Sequence, residues 1–422
     1  MSEKMAVETR TLEQVRDSER KSWISVASIE AGVMICVPSL LLGGMLAEAM
    51  PMSMALIAGV TGYLLAVLLT AAMGVQGYDL GIPLCVISLS SFGKKGGKWI
   101  VTTLLVISLM GWFAVQASVC GEAFSSMLSE FLHVNVPGWI SISVWGMIML
   151  ITAVYGIDAL KGLNFIAVPA LIAVTMLGCV IAVARYGLGG LGIPVESTMT
   201  VWEGIALTFS FNATGMVIAP DYTRYNKSRK DAAKAMIWGI FPAGVLMLVM
   251  GAVMSKLTGI YDITVVLCEL GIPFLGLVVL ILATWTSNTT NAYSAGISMV
   301  MLFHLKDSKR AVTTLIAGVV GTILALAGIA DYFENVLDLM GYAFAPMGGV
   351  MIAEYWVLMK GKAVNWKKIE GINWLGLASW IAGILVTVLV PVGIPVINGL
   401  LTSAVCLLIL NICFRGIYKE CI

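Results

Sequence analysis

An all-α, polytopic membrane fold is what this sequence predicts, and three observations predict it. Mean hydropathy is +0.96, with 59% hydrophobic and 12% charged residues, far from the make-up of soluble domains. Apolar runs of about 20 residues, the length that crosses roughly 30 Å of hydrocarbon as a helix, recur near 24–47, 54–74, 99–126, 138–156, 163–184, 199–221, 235–255, 270–303, 311–329, 335–358, 372–390 and 394–414. With the N-terminus placed in the cytoplasm, 23 of the 25 Lys and Arg residues fall in inside segments, and only Arg185 and Lys256 fall elsewhere. Basic residues gather on the cytoplasmic side, so twelve spans with both termini inside satisfy a test independent of hydropathy.

Residues 1–22 are polar and mixed in charge, with no short apolar core before a small-residue cleavage site; they are expected to form a cytoplasmic tail, and the first span to be retained. Span one reads Ala31-Gly-Val-Met-Ile-Cys-Val-Pro-Ser-Leu-Leu-Leu-Gly-Gly44, interrupted by Gly and Pro. It also holds Glu30, about seven residues in and on the order of 10 Å deep at 1.5 Å per residue. That carboxyl either carries a proton or faces a wet vestibule. Span three places Ser108, Trp112 and Gln116 four residues apart on one face. An indole is a platform for a flat ring, and an amide one turn on can read its edge. Trp112 lies mid-span, away from the interfacial belt where membrane Trp residues usually anchor; Trp145 of span four is expected to face lipid. Span six carries Phe209-Ser-Phe-Asn-Ala-Thr-Gly-Met-Val-Ile-Ala-Pro220, a second Gly/Pro-interrupted stretch, which also contains Asn212.

Spans one and six are separated by an odd number of crossings and so run in opposite directions. That is what an inverted repeat of spans 1–5 and 6–10 demands, with residues 23–185 as the first repeat, 186–360 as the second and 361–422 as two added spans with a short tail. Gly and Pro are also common in membrane helices at large, which is the alternative reading of each segment alone.

Span eight is the densest polar feature. Thr284 to Asn291 reads Thr-Trp-Thr-Ser-Asn-Thr-Thr-Asn inside an otherwise apolar stretch, and hydrocarbon offers such groups no water, so they are expected to face a cavity, a ligand or another helix. Ala283, Thr286 and Ser287 stand at i, i+3 and i+4, where one carbonyl and two hydroxyls converge on a stripe. Three neutral oxygens suit a monovalent hard cation, and the carbonyls of Gly32 and Ile35 supply further ligands if span one is unwound there. Thr284, Asn288 and Asn291 form an adjacent stripe. The competing reading is that Ser and Thr bond back to their own helix and Asn joins helices.

Several function classes are excluded. No GxxxxGK[ST] loop is present, so ATP-driven pumping is not expected. His133 and His304, the two histidines, sit at opposite span ends and build neither a metal pair nor a Ser-His dyad. The eight cysteines are dispersed without CxxC spacing and read as core fillers. A net charge of +1 gives no reason to expect nucleic acid as a partner. A channel or sensor would need a continuous polar pore, whereas spans four, five, nine, eleven and twelve carry almost no intramembrane polar groups.

The segments Gly111-Trp-Phe113, Ser210-Phe211, Thr286-Ser-Asn288, Asp221-Tyr-Thr-Arg-Tyr225 and Ala345-Pro-Met-Gly-Gly-Val-Met-Ile-Ala-Glu-Tyr-Trp356 resemble the nucleobase:cation symporter-1 family, in register over spans one to ten. The resemblance implies a LeuT-like fold with five-plus-five inverted repeats and two extra helices. It also implies inward carriage of a nucleobase-like or hydantoin-like ring with sodium (Na+) or protons. Carried over by position, the family's sodium site matches the carbonyls of Gly32, Ile35 and Ala283 and the hydroxyls of Thr286 and Ser287. Its stacking Trp matches Trp112, its Ser-Phe pair Ser210 and Phe211, its span-eight amide Asn288, and the Gln of its hydantoin carrier Gln116. Departures from the cytosine carriers are Cys36 for a ring-stacking Phe, Leu109 for a Gln and Ala283 for an Asn, which opens a purine or another pyrimidine or hydantoin as the ring beside cytosine. The expected protein is a monomeric symporter in the lipid bilayer of a bacterial inner membrane. The runner-up is a proton-coupled carrier of another small ring, such as a vitamin precursor.

Overall fold

The structure, a computed structural model, describes residues 14–155, 158–260 and 262–414. Lys4 and Arg10 of the expected N-terminal tail, Arg415, Lys419 and Cys421 at the other end, and the side chain of Lys161 lie outside the described residues. The helices run in the order α1 (Trp23–Met34), α2 (Val37–Ala49), α3 (Met52–Leu80), α4 (Leu84–Ser91), α5 (Gly93–Gly96), α6 (Thr102–Leu132), α7 (Gly138–Tyr155), α8 (Asp158–Tyr186), α9 (Val201–Phe211), α10 (Ala213–Thr223), α11 (Arg229–Thr258), α12 (Ile263–Glu269), α13 (Pro273–Leu302), α14 (Arg310–Leu326), α15 (Phe333–Ala353), α16 (Trp374–Leu389) and α17 (Pro395–Cys413).

Every apolar run found in the sequence falls on one of these helices or on a broken pair. Seven helical stretches are long and apolar enough to cross a membrane alone, and α1 with α2, bent by 55°, makes an eighth. The helices at runs four, nine and eleven are shorter, and run six is divided between α9 and α10, of 11 residues each. Local chemistry sets many ends. The Ser22 and Ser228 hydroxyls accept first-turn amides of α1 and α11, and Thr200 with Glu203 forms a capping box on α9, satisfying donors that a helix start leaves open. Gly81 and Gly259 close α3 and α11 in the left-handed conformation that glycine adopts without steric cost.

Packing divides the helices into two groups. Spans one, two, six and seven associate as α1 and α2 on α11, with α3 against α9, α10 and α11; spans three, four, eight and nine associate as α6, α7, α13 and α14. Between them α8 touches both α11 and α13, and α15 packs on α9, α10 and α17. Backbones approach closely inside the first group: a Cβ on Gly251 of α11 would collide with the Leu40 carbonyl of α2, the small-residue contact that membrane helices use in place of a hydrophobic drive. Outward faces carry exposed Val180, Ile323, Leu389 and Leu401, as a lipid-facing surface requires.

The helix ends around Asp79, Arg229 and Glu354 are tied by polar contacts. Arg229 pairs with Asp79 at 2.7 Å and donates to the Gly361 carbonyl, while the Tyr355 hydroxyl donates to the same Asp79. Glu354 accepts from the hydroxyls of Ser90 and Ser91 on α4.

Candidate functional site

Span one breaks where the sequence allowed it. Ile35 has φ −80° and ψ 76° and Cys36 is extended, so α1 stops at Met34 and α2 begins at Val37. The hydrogen bonds explain what this frees. The Cys36 amide turns back to Met34 O at 3.0 Å and the Ser39 amide to Cys36 O at 3.2 Å. In a continuous helix those amides would hold Gly32 and Ile35, so the two carbonyls singled out in the sequence are among those released. The Ser39 hydroxyl donates to Met34 O at 2.7 Å, which leaves it to accept from the Cys36 thiol at 3.3 Å.

Span six breaks at one residue. Asn212, at φ −97° and ψ 2°, separates α9 from α10. Gly215 and Pro220 both lie inside α10, so the interruption belongs to Asn212 and not to the Gly/Pro signal that suggested it. Next to the break, the Phe211 ring meets Trp112 of α6 edge-on, with centroids 5.3 Å apart, and Trp112 also meets Phe333 of α15 at 6.2 Å. Tyr63 of α3 extends the aromatic group, 6.4 Å from Phe211. The Ser210 hydroxyl is buried with no partner among the described residues, against Gly341 of α15, where any Cβ would strike it.

The stripe on α6 joins both groups of helices. Ser108 shares a 2.9 Å hydrogen bond with Thr214 of α10, Trp112 meets Phe211, and the Gln116 Oε1 accepts from the Ser287 hydroxyl of α13 at 2.6 Å. On α13, the Thr286 and Ser287 hydroxyls each lie 2.9 Å from Ala283 O, so the three oxygens grouped by sequence spacing do converge. In the described structure the Thr286 hydroxyl bonds back to its own helix, as the competing reading held, while the Ser287 hydroxyl lies nearer Gln116 Oε1 than Ala283 O. Gly32 faces Val168 of α8, and α13 meets broken span one along α2.

Two expectations are placed differently. The Asn288 amide is committed to packing: it donates to Phe113 O at 2.9 Å and lies 3.2 Å from the Met149 sulfur, and its oxygen accepts from Asn291. Trp145 does not face lipid; it is half-buried between Phe124 and Trp285, at 5.6 and 5.8 Å. The sequence reading also passed over Thr70, which accepts the Asn212 amide at 3.0 Å, and Phe333, which meets Trp112. A Thr in apolar span two is a signal that existed, but it named no partner.

With this geometry in view, comparison with known proteins is specific. The family model described as permease for cytosine/purines, uracil, thiamine, allantoin matches residues 14–408. Cytosine permease of Escherichia coli strain K12 is 28% identical over 405 residues, covering 94% of this chain and 93% of that protein. Hydantoin permease of Microbacterium maritypicum is 25% identical, covering 90% and 83%. Among solved structures, the nucleobase-cation-symport-1 family transporter Mhp1, closed with bromovinylhydantoin bound, superimposes with a TM-score of 0.82 at 21% identity over 97% of this chain and 96% of that one. Its inward-facing form gives 0.84 at 20% identity, over 100% and 96%. These likenesses establish a LeuT-like fold, and the relatives are permeases, not enzymes.

Proposed function

Because the chain belongs to the family of permeases for cytosine and purines, uracil, thiamine and allantoin, we propose that it imports a nucleobase-like planar heterocycle together with sodium by alternating access. One observation carries the reading: the break at Ile35 and Cys36 releases the carbonyls of Gly32 and Ile35, and the neighbouring helices carry a converged oxygen set and an aromatic group. Sodium is cargo here, and its ligands are Gly32 O, Ile35 O, Ala283 O, Thr286 Oγ1 and Ser287 Oγ. The two hydroxyls turn from Ala283 O to the ion when it arrives, exchanging weak helix back-bonds for coordination.

The ring lies against Trp112 and Phe211, with Ser210, Asn212, Gln116 and Cys36 around its edge. Asn288 supports the site from behind through Phe113 and Met149. Carbonyls of span one belong to the first helix group and hydroxyls of span eight to the second, so an ion that bridges them binds more tightly when the groups are close. That difference in affinity between states is what coupling requires. Residues 23–185 and 186–360 form the repeats, residues 361–422 add two spans, and the termini lie in the cytoplasm of a bacterial inner-membrane protein that works as a monomer.

The test is uptake into proteoliposomes. A sodium gradient is expected to concentrate a labelled purine, pyrimidine or hydantoin above its equilibrium level; flux that only equilibrates, with or without sodium, overturns the proposal.

A further inference from the structure

We propose that Asn212, fixed by Thr70, presents only a hydrogen-bond acceptor to the ring site and so selects heterocycles that bring an N–H to the break of span six. This rests on the reading of the chain as a carrier of planar rings and narrows which rings it takes.

The argument follows protons. Thr70 is fully buried, and its hydroxyl donates to Ala66 O at 2.7 Å. A threonine hydroxyl has a single proton. With that proton committed to Ala66, Thr70 offers Asn212 only a lone pair, and the group 3.0 Å from it on Asn212 is the amide nitrogen. The amide therefore cannot turn over without losing a bond, and Oδ1 is the end left facing away from Thr70. That oxygen is buried and has no partner among the described residues. Asn212 stands at the N-cap of α10, but its side chain makes no capping bond there.

On the Gly215 side no other residue crowds Oδ1. A Cβ built on Gly215, one turn along α10, would sit 2.9 Å from Oδ1, and the nearest atoms to that point all belong to Asn212. Gly215 is half-buried. Its missing side chain leaves the buried acceptor uncrowded on that side, and any larger residue would press against it. The residue before Asn212 is Phe211, in edge contact with Trp112, so the acceptor belongs to the residue next in the chain to the aromatic group.

A desolvated acceptor without a donor is costly, and a ligand that supplies one recovers that cost. A ring N–H or exocyclic amino group satisfies Oδ1; a bare ring nitrogen, a carbonyl or an N-methyl group at that edge leaves it unpaired or clashes. The neighbouring Ser210 hydroxyl can either donate or accept and discriminates neither way. Selection by this edge follows from Asn212 and from the Thr70 proton that fixes it.

The test measures binding of hydantoin, uracil, hypoxanthine and cytosine, each beside its N-methyl analogues, to the purified full chain. For the ring bound best by the natural protein, methylation at one nitrogen is expected to weaken binding about 10- to 100-fold. Asn212→Leu should bring parent and analogue to within about twofold of each other. Thr70→Val should narrow the ratio by freeing the amide to turn, and Thr70→Ser, which keeps the hydroxyl, should restore it. A purely structural role for Thr70 would change affinity for parent and analogue alike. If Asn212→Leu fails to fold, the Val and Ser variants of Thr70 still decide the matter. An unchanged ratio in Thr70→Val overturns this inference alone, whereas no ring bound by the natural protein overturns the function on which it rests.

Discussion

The hydrogen bond from Ser287 to Gln116 joins the proposed cation ligands to the proposed ring site, and it can be broken from either end. One hydroxyl proton has three acceptors in reach: Ala283 O at 2.9 Å, Thr284 O at 3.3 Å and Gln116 Oε1 at 2.6 Å. Gln116 is already the nearest of the three, and a cation held by Ala283 O and the Ser287 oxygen takes Ala283 out of the competition and keeps the proton on Gln116. Gln116 Oε1 is then occupied, and its amide hydrogens are left for the ring. Sodium should therefore raise ring affinity by about the worth of one neutral hydrogen bond, ~0.5–1.5 kcal/mol, a factor of about 2 to 13. The assay is the ring dissociation constant in sodium and in choline for the natural protein, Gln116→Leu, Ser287→Ala and the double variant. Gln116→Leu lowers ring affinity in both salts, but the ratio between salts should collapse toward one, and the double variant should add no further loss of coupling. Sodium affinity should rise with bound ring by the same factor, since coupling is reciprocal. A full sodium effect on ring binding in Gln116→Leu would refute the link.

Trp112→Ala should weaken ring binding about 5- to 150-fold, the worth of ~1–3 kcal/mol for one stacked base, while Trp238→Ala, exposed on α11, should leave it unchanged; equal losses would remove Trp112 from the site. Thr286→Ala combined with Ser287→Ala should abolish sodium-dependent uptake in a protein that still inserts and survives size-exclusion chromatography, and persistence of sodium dependence would overturn the ion assignment. Asn288→Leu should lower thermal stability by ~1–3 kcal/mol through the contacts it leaves unmade, with ring affinity changed less than in Trp112→Ala. The reverse order would make Asn288 a ring ligand.

How far the sequence reached depended on which force set each feature. The apolar runs were legible because hydrocarbon demands internally bonded helices of fixed length. The break in span one was legible too, since Pro38 cannot donate to a continuing ladder. The break in span six was found in the right stretch for an incomplete reason. Asn212 leaves the helix by a single bridge-region turn, which any short polar residue tolerates, whereas Pro220 is accommodated inside α10. The oxygen stripe of α13 followed from helical periodicity alone. What periodicity could not supply was the partner of each group. Membrane helices lack a polar outer face, so nothing in the pattern separated a lipid-facing Trp145 from one packed between Phe124 and Trp285. Asn288 and Gln116 looked alike as intramembrane amides, and only tertiary contacts assign one to Phe113 and the other to Ser287.

Those contacts distribute the polar groups unevenly, and the unevenness bears on mechanism. Groups bonded across helices, such as Asn288 to Phe113 and the Trp285 indole to Thr152, lie within the second helix group and fasten it as one body. The buried side-chain oxygens of Ser210 and Asn212, which have no bond among the described residues, stand at the break in span six. A buried polar atom without a partner is a free-energy cost that binding can remove. Part of that cost thus falls at the break in span six, next to the second helix group, where Trp145 Nε1 and Thr284 Oγ1 are also unpaired among the described residues. A ligand and ion that satisfy the open atoms would favour the arrangement in which both groups reach them, and an arrangement that pulls the groups apart restores the cost. On the proposed function, rocking of one group against the other would be driven by where the bonds are missing as much as by where they are made.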